Sequence, residues 1–133
     1  MIAAPQSGSG KTLVTLGLLR AFRNRGLKVV SAKAGPDYID PGFHAAATGR
    51  PCINLDVWAM GEKHVRAHAT LQGTGDDLLI VEGVMGLFDG PHGAKGSTAD
   101  LAESLRLPVI FVVDAAQCPF SKLPLFSSIS LSL

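Results

Sequence analysis

The sequence predicts an α/β protein whose doubly wound, mostly parallel sheet lies between two layers of helices. Short apolar runs beginning at Ile2, Leu27, Leu78 and Leu107 are separated by segments with helical periodicity. This alternation is typical of parallel sheets. A glycine-rich segment, residues 5–12, follows the first run. Because open α/β sheets hold their ligands at the carboxyl ends of the strands, we expect this segment to be part of a binding site.

The first predicted strand, Met1–Ala4, leads into the segment Pro5-Gln6-Ser7-Gly8-Ser9-Gly10-Lys11-Thr12. Glycines let backbone N–H groups turn toward phosphate oxygens, while the lysine adds positive charge and the threonine hydroxyl can bind Mg²⁺. Pro5 stands where the strict pattern has a glycine. The alternative is a flexible turn with a solvated lysine. We interpret the segment as a phosphate-binding loop, with nucleotide contacts from Ser7, Gly8, Ser9, Gly10, Lys11 and Thr12.

A largely buried helix is predicted from Leu13 to Arg25, because apolar residues surround its first two turns. Cations in its last turn complement the helix dipole, and Gly26 is suited to the left-handed conformation that ends a helix. Leu27–Ala32 is then predicted as a second strand. With the first strand and the helix it would form a right-handed βαβ unit.

The segment from Lys33 to His44 is predicted as a loop dense in glycine, proline and aspartate. A pair of turns, in which Asp37 and Asp40 bond their own backbone, would explain the prolines and glycines. It does not require Lys33, Asp37 and Asp40 to lie together on the side of the phosphate loop. We therefore favour a functional site here.

The next segment has weaker signals. One helical turn is predicted for residues 45–48, ending at Gly49, followed by an irregular or extended connection over 50–58. Arg50 and Asp56 are interpreted as surface residues, and Trp58 and Met60 as packing residues.

An amphipathic helix is predicted from Glu62 to Gln72. His64 and His68 have the i, i+4 spacing of a metal pair, but the sequence supplies no third ligand in the usual motif. We interpret them as a solvated face of the helix.

A buried strand is predicted for Leu78–Val81, a short and wholly apolar run. Glu82 follows it directly, and a carboxylate at the end of a buried strand needs a cation or hydrogen-bond donors. Mg²⁺ bound with a nucleotide would meet that need, and a structural ion pair is the alternative. Asp89, seven residues on, is either a turn residue or a second acidic group facing the substrate.

The last predicted elements are a helix over 97–105, capped by Ser97 to Asp100, and a fourth strand over 107–114 that ends in an aspartate. Residues 115–133 have neither a helical period nor a convincing strand. We expect residues 1–114 to be a partial nucleotide-binding domain that begins late and is truncated at its C-terminal side, with an atypical tail.

Composition excludes several classes of function. The net charge of +1 and the charged fraction of 17% provide no basic surface of the kind that nucleic acid requires. Cys52 and Cys118 have no metal-ligand spacing, and we interpret them as small buried or loop residues in a reducing compartment. The N-terminus resembles no signal peptide, and no apolar run approaches the roughly 18 residues of a membrane span. We expect a cytoplasmic protein with neither nucleic acid nor membrane as a partner.

The phosphate loop, GPDYIDPGFH (residues 35–44) and VEGVMGLFDG (residues 81–90) together closely resemble the N-terminal ATP-binding part of cobyrinate or hydrogenobyrinate a,c-diamide synthases. The likeness spans Ile2 to Asp114. More distantly the chain resembles dethiobiotin synthetase. It lacks the extra lysine of MinD-type ATPases, since Gln6 occupies that position.

The resemblance implies a P-loop NTPase fold and ATP-dependent phosphorylation of corrinoid carboxylates, with amides formed from glutamine or ammonia. Family members take ammonia from a C-terminal glutaminase domain, which we expect to be absent here. A homodimer is left open. By similarity the implied roles are catalytic for Lys11, Lys33, Asp40 and Glu82; metal-binding for Thr12, Asp37 and Glu82; and substrate-facing for Tyr38, Ile39 and Asp89.

Three other functions are compatible with these residues. A dethiobiotin-synthetase-like ligase would act on a small diamine, and a nucleotide switch would bind ATP without releasing ADP. The third is a non-catalytic fragment of a truncated gene product.

Overall fold

The structure, a computed structural model, describes residues 1–75 and 77–116. Strands and helices alternate along them. In chain order they are β1 (Ile2–Ala3), α1 (Lys11–Asn24), β2 (Val29–Ala34), α2 (Asp40–Thr48), β3 (Cys52–Leu55), α3 (Val57–Gln72), β4 (Leu78–Glu82), α4 (Thr98–Leu105) and β5 (Ile110–Phe111).

The strands form one parallel sheet in the order β3-β2-β4-β1-β5. The chain moves toward β3 through α1 and α2, and then turns back toward β5 through α3 and α4. Because parallel crossovers are right-handed, opposite directions of travel put the two helix pairs on opposite faces of the sheet. The predicted doubly wound, three-layer architecture is confirmed. The two strands of the first predicted βαβ unit, β1 and β2, are not neighbours in the sheet, because β4 lies between them.

Two hydrophobic clusters occupy the two faces. Ile2, Val29 and Ile80 pack with Leu19 of α1 on one face. On the other face, Ala32 and Ala34 of β2 and Val81 of β4 pack in a cluster with Val65 of α3 and Leu101 of α4. Since side chains alternate along a strand, Lys33 shares the face of Val29, and Glu82 that of Ile80. Both charged side chains therefore point toward α1 and α2.

The structure corrects the prediction for residues 45–58. The second helix begins at Asp40 rather than Ala45, with Pro41 in its first turn, where proline lacks only an N–H that has no helical partner. The connection predicted as irregular or extended contains the extended strand β3 and the start of α3. Asp56, interpreted as a surface residue, is the N-cap of α3 and accepts a hydrogen bond from the Ala59 N–H at 3.1 Å. The predicted helix 62–72 is the part of α3 beyond a kink at Gly61.

Other differences concern exposure and strand length. Trp58 is 67% exposed and Leu13 is 78% exposed, so neither is a packing residue, whereas Met60 packs against the core as predicted. Helix α1 is less buried than predicted, because its buried positions are limited to Lys11, Thr15 and Leu19.

The fourth predicted strand is shorter than expected, as β5 comprises only Ile110–Phe111. The capping box of Ser97 and Asp100 at the start of α4 is confirmed. Cys118 and residues 117–133 of the predicted tail lie outside the described residues. Within the described part of the chain, no helix combines the length and apolar character needed to cross a bilayer.

Candidate functional site

The phosphate loop (residues 5–12) connects β1 to α1 at the point where the winding of the sheet reverses. Gly8 and Gly10 have φ angles of +80° and +85°, which only glycine adopts readily. Gly10 is the N-cap of α1 and supplies no side-chain cap. The N–H groups in the first turn of α1 are therefore free of a capping side chain, as anion binding at a helix N-terminus requires.

Ser9 differs from its neighbours in the loop. Its hydroxyl donates to the Gln6 carbonyl at 3.0 Å and the residue is buried. The side chain therefore stabilises the turn of the loop from within.

Lys11 joins the phosphate loop to the β4–α4 loop (residues 83–97). Its ammonium donates to the Met85 carbonyl at 2.7 Å and to the Gln6 carbonyl at 3.3 Å. Burial lowers the pKa of Lys11, and the positive charge of Lys33 lowers it further. A polyanion in this pocket would be attracted to both cations.

Four polar side chains converge beside this lysine from β2, β4, α1 and α2. The Lys33 ammonium donates to Asp40 Oδ2 at 2.6 Å and to Glu82 Oε1 at 2.8 Å. The Thr12 hydroxyl lies 2.6 Å from Glu82 Oε1 and 3.3 Å from Asp40 Oδ2. Lys33 lies inside β2 rather than in the loop predicted for it, and the strand register brings it beside Glu82.

The charges at this cluster stabilise one another. Burial alone would raise the pKa of Glu82, but hydrogen bonds from His44, Lys33 and Thr12 lower it to about 2. Burial also disfavours the charged form of Lys33, which by itself would lower the pKa of Lys33. The hydrogen bonds from Lys33 to Asp40 and Glu82 outweigh this effect and raise the pKa. Both groups are therefore ionised at neutral pH.

Asp37 closes the turn between β2 and α2. Its Oδ1 accepts the Ile39 and Asp40 N–H groups at 2.8 and 3.0 Å, and its Oδ2 is 3.7 Å from the Lys33 ammonium. Burial acts to raise the pKa of Asp37, but the backbone hydrogen bonds and Lys33 lower it. The turn that the sequence offered as an alternative is therefore present, and Asp37 also faces the pocket. Its metal-binding role stays a prediction.

A pocket of about 430 Å³ opens at this edge of the sheet. The structure brings most of the predicted site residues into its lining: Ser7, Gly8, Gly10, Lys11, Thr12, Lys33, Asp37, Asp40 and Glu82.

The predicted substrate residues lie outside that lining. Tyr38 and Ile39 are 92% and 71% exposed at the turn before α2. Asp89 lines a neighbouring pocket of about 600 Å³, which shares Met85 with the first. Its Oδ2 accepts the Gly86 N–H at 2.8 Å, so Asp89 is a turn residue in this structure. The substrate-facing role of all three residues stays a prediction.

Comparison with known proteins agrees with this geometry. Residues 1–116 match the family described as the CobQ/CobB/MinD/ParA nucleotide binding domain. The chain belongs to this family.

Individual relatives of this nucleotide-binding domain share one description, hydrogenobyrinate a,c-diamide synthase. The protein of that name from Rhizobium meliloti strain 1021 is 56% identical over 121 residues, 91% of this chain and 28% of the relative. Those from Sinorhizobium sp and Brucella anthropi are 57% and 58% identical over 117 and 118 residues, 88% of this chain and 27% of each relative. The chain thus spans between a quarter and a third of the length of these relatives.

His44 belongs to the site, although the sequence did not predict a role for it. His44 is fully buried, and its Nε2 lies 2.7 Å from Glu82 Oε2. Burial acts to lower its pKa, but contacts with Cys52 and Glu82 raise it to about 9. In a helix that begins at Asp40, His44 is four residues further along the chain and therefore lies on the same face as Asp40. Pro41 was the signal that could have moved the predicted start of α2 to Asp40.

Proposed function

We propose that this chain forms the ATP-binding part of an enzyme that amidates the a and c side-chain carboxylates of hydrogenobyrinate or cobyrinate. The observation that carries the proposal is the identity of 56–58%, over about nine-tenths of the chain, to relatives described as hydrogenobyrinate a,c-diamide synthases. The match of residues 1–116 to a nucleotide-binding family supports the nucleotide half of the reaction.

The chemistry requires activation because a carboxylate is a poor acylating agent. A carboxylate oxygen attacks the γ-phosphorus of ATP, the bond to ADP breaks, and an acyl phosphate forms. Ammonia, supplied free or from glutamine, then attacks the acyl carbon, and phosphate leaves as the amide forms. A general base for the first step is unnecessary because the carboxylate is ionised at neutral pH.

Two cations line the pocket where the phosphates would bind. Lys11 and Lys33 supply positive charge against the negative charge that spreads over the transferred group. Asp40 and Glu82 hold the Lys33 ammonium through hydrogen bonds of 2.6 and 2.8 Å. In this proposal the carboxylates keep the lysine aligned with the γ-phosphate.

The donor set of the pocket fits Mg²⁺. The Thr12 hydroxyl and the Glu82 and Asp40 carboxylates are oxygen ligands, which this hard cation prefers. Among the described residues no group of three or more His, Cys, Asp or Glu side chains is arranged to hold a metal alone. A Mg²⁺ shared with nucleotide phosphates is consistent with that, because it needs only one or two protein carboxylates. When bound, the ion would neutralise phosphate charge.

An isotope experiment tests the proposal. The purified chain is given Mg-ATP, ammonium chloride and hydrogenobyrinate labelled with ¹⁸O in its carboxylates. We expect corrinoid-dependent release of ADP and ¹⁸O in the released phosphate, because the carboxylate oxygen leaves with the phosphoryl group. A small diamine is the control substrate. Release driven by the diamine, or no corrinoid-dependent release, would contradict the proposal.

A further inference from the structure

His44 contacts the one buried carboxylate of the site from the interior side. His44 and Glu82 are both fully buried, and the imidazole Nε2 donates to Glu82 Oε2 at 2.7 Å. The other ring nitrogen, Nδ1, lies 3.5 Å from Cys52 Sγ on β3. The Thr48 hydroxyl donates to the His44 carbonyl at 3.0 Å. The ring is therefore fixed on both edges between α2 and the sheet.

The two oxygens of Glu82 have different partners. Oε1 faces the pocket, where it meets the Thr12 hydroxyl at 2.6 Å and the Lys33 ammonium at 2.8 Å. Oε2 faces the interior, where it meets His44. His44 thus satisfies the oxygen that the pocket does not use and fixes the rotation of the carboxylate.

A purely structural pair would not need this arrangement. A buried ion pair contributes little net stability compared with well-packed apolar residues of similar size. A hydrophobic side chain at position 44 would fill the same space between α2 and the sheet. It would leave Glu82 Oε2 buried without a donor, and only the Oε1 contacts with Thr12 and Lys33 would then orient the carboxylate. What the histidine adds is the orientation of an oxygen at the nucleotide pocket.

We propose that His44 is a positioning residue, which holds Glu82 so that Oε1 is directed at the metal–nucleotide site beside Thr12. This inference rests on the proposed function, because it assumes that a divalent ion binds there with ATP. Some side chains do not bind the metal but hydrogen-bond to a residue that does, and removing them typically weakens metal binding about 10- to 100-fold.

The test measures metal binding rather than turnover. Mn²⁺ replaces Mg²⁺, and free Mn²⁺ is counted by electron paramagnetic resonance with saturating ATP present. We expect His44→Leu to weaken Mn²⁺ binding about 10- to 100-fold. Affinity for ATP without metal should change less than about threefold, because the phosphate loop is untouched. His44→Gln should recover most of the Mn²⁺ affinity, since its amide can donate near the position of Nε2.

Thr48→Val separates positioning from general loss of stability. It removes the hydroxyl that bonds the His44 carbonyl but leaves the imidazole. We expect Mn²⁺ affinity close to that of the parent.

Three results would overturn the inference: parent-like Mn²⁺ affinity in His44→Leu, no recovery in His44→Gln, or an equal loss in Thr48→Val. A parent chain that binds neither ATP nor Mn²⁺ with ATP would instead remove the proposed function, and the inference with it.

Discussion

Lys33 and Glu82 are register partners on the adjacent parallel strands β2 and β4, and the Lys33 ammonium lies 2.8 Å from Glu82 Oε1. Their side chains project from the same face because partners in register share the pleat. The face is the one covered by α1 and α2, so Thr12 and Asp40, at the starts of those helices, complete the cluster. The topology of the sheet therefore assembles the site from four separate elements.

Loss of the Lys11 charge should abolish tight ATP binding. We expect Lys11→Ala to weaken Mg-ATP binding about 10- to 100-fold, the range for a lost hydrogen bond to a charged group. Isothermal titration calorimetry measures the change. Lys28→Ala is the matched control, since Lys28 is exposed at the amino end of β2. Parent-like affinity in Lys11→Ala would contradict the phosphate-loop interpretation.

Asp40 should matter more for turnover than for nucleotide binding. Its carboxylate holds Lys33 at 2.6 Å, but Glu82 holds the same ammonium independently. We expect Asp40→Asn to lower corrinoid-dependent ADP release about tenfold or more, while the dissociation constant of ATP changes less than about threefold. The two quantities come from a coupled ADP assay and from calorimetry. Equal losses in both would indicate damaged folding instead.

The capping box of α4 should make stability depend on acid pH. Asp100 Oδ2 accepts the Ser97 hydroxyl at 2.6 Å and the Gly96 and Ser97 N–H groups at 2.9 Å, and these bonds lower the pKa of Asp100. A carboxylate with a lowered folded-state pKa stabilises the fold above its unfolded pKa, and this contribution is lost as pH falls through the folded pKa.

Asp100→Asn isolates that contribution. Above pH ~4, close to the unfolded pKa of aspartate, we expect the parent to be more stable than the variant by about 1 kcal/mol. The difference should vanish at lower pH. Urea unfolding at a series of pH values measures it, and Glu103→Gln, an exposed site on the same helix, is the control. A difference that is constant with pH would exclude the titration of Asp100 as its cause.

Sequence signals with a local physical cause predicted the fold well. The phosphate loop, the Ser97 cap and the apolar strand before Glu82 each depend on neighbouring residues, and each is present in the structure. The strand is less buried than predicted, because Leu78 at its amino end is 38% exposed. The sequence allows an extended connection where β3 lies but does not identify it as a strand of the sheet, because β3 is a short edge strand. It does not locate the start of α2 at Asp40, because Pro41 is typical of a turn as well as of the first turn of a helix.

Most of the pocket lining was also predicted, because its residues lie in the glycine-rich loops or next to strand ends. The pairing of His44 with Glu82 could not be predicted from the sequence around either residue. It requires α2 to begin four residues before His44 and to pack on β2 and β3 so that the His44 side chain reaches Glu82 on β4. Contacts between residues 38 positions apart depend on how elements pack rather than on local pattern.

Gly86 should be required for the contact between the phosphate loop and the β4–α4 loop. A Cβ added there would lie 2.5 Å from the Pro5 carbonyl and 2.8 Å from Asp89 Oδ2, so one of the two loops must move. We expect Gly86→Ala to lower the free energy of unfolding by about 1 to 3 kcal/mol. ATP affinity should fall as well, because Lys11 donates to the carbonyl of the adjacent Met85.

Gly17→Ala is the matched control for this glycine effect. Gly17 lies in the exposed interior of α1 with open space around its Cβ position. Alanine there should stabilise the fold by roughly 0.5 to 1 kcal/mol without changing ATP affinity. Urea unfolding and calorimetry on both variants give the comparison. If Gly86→Ala kept the stability and ATP affinity of the parent, the β4–α4 loop would be able to move away from Pro5 without disturbing Lys11, and the close approach of the two loops would not be a constraint on the site.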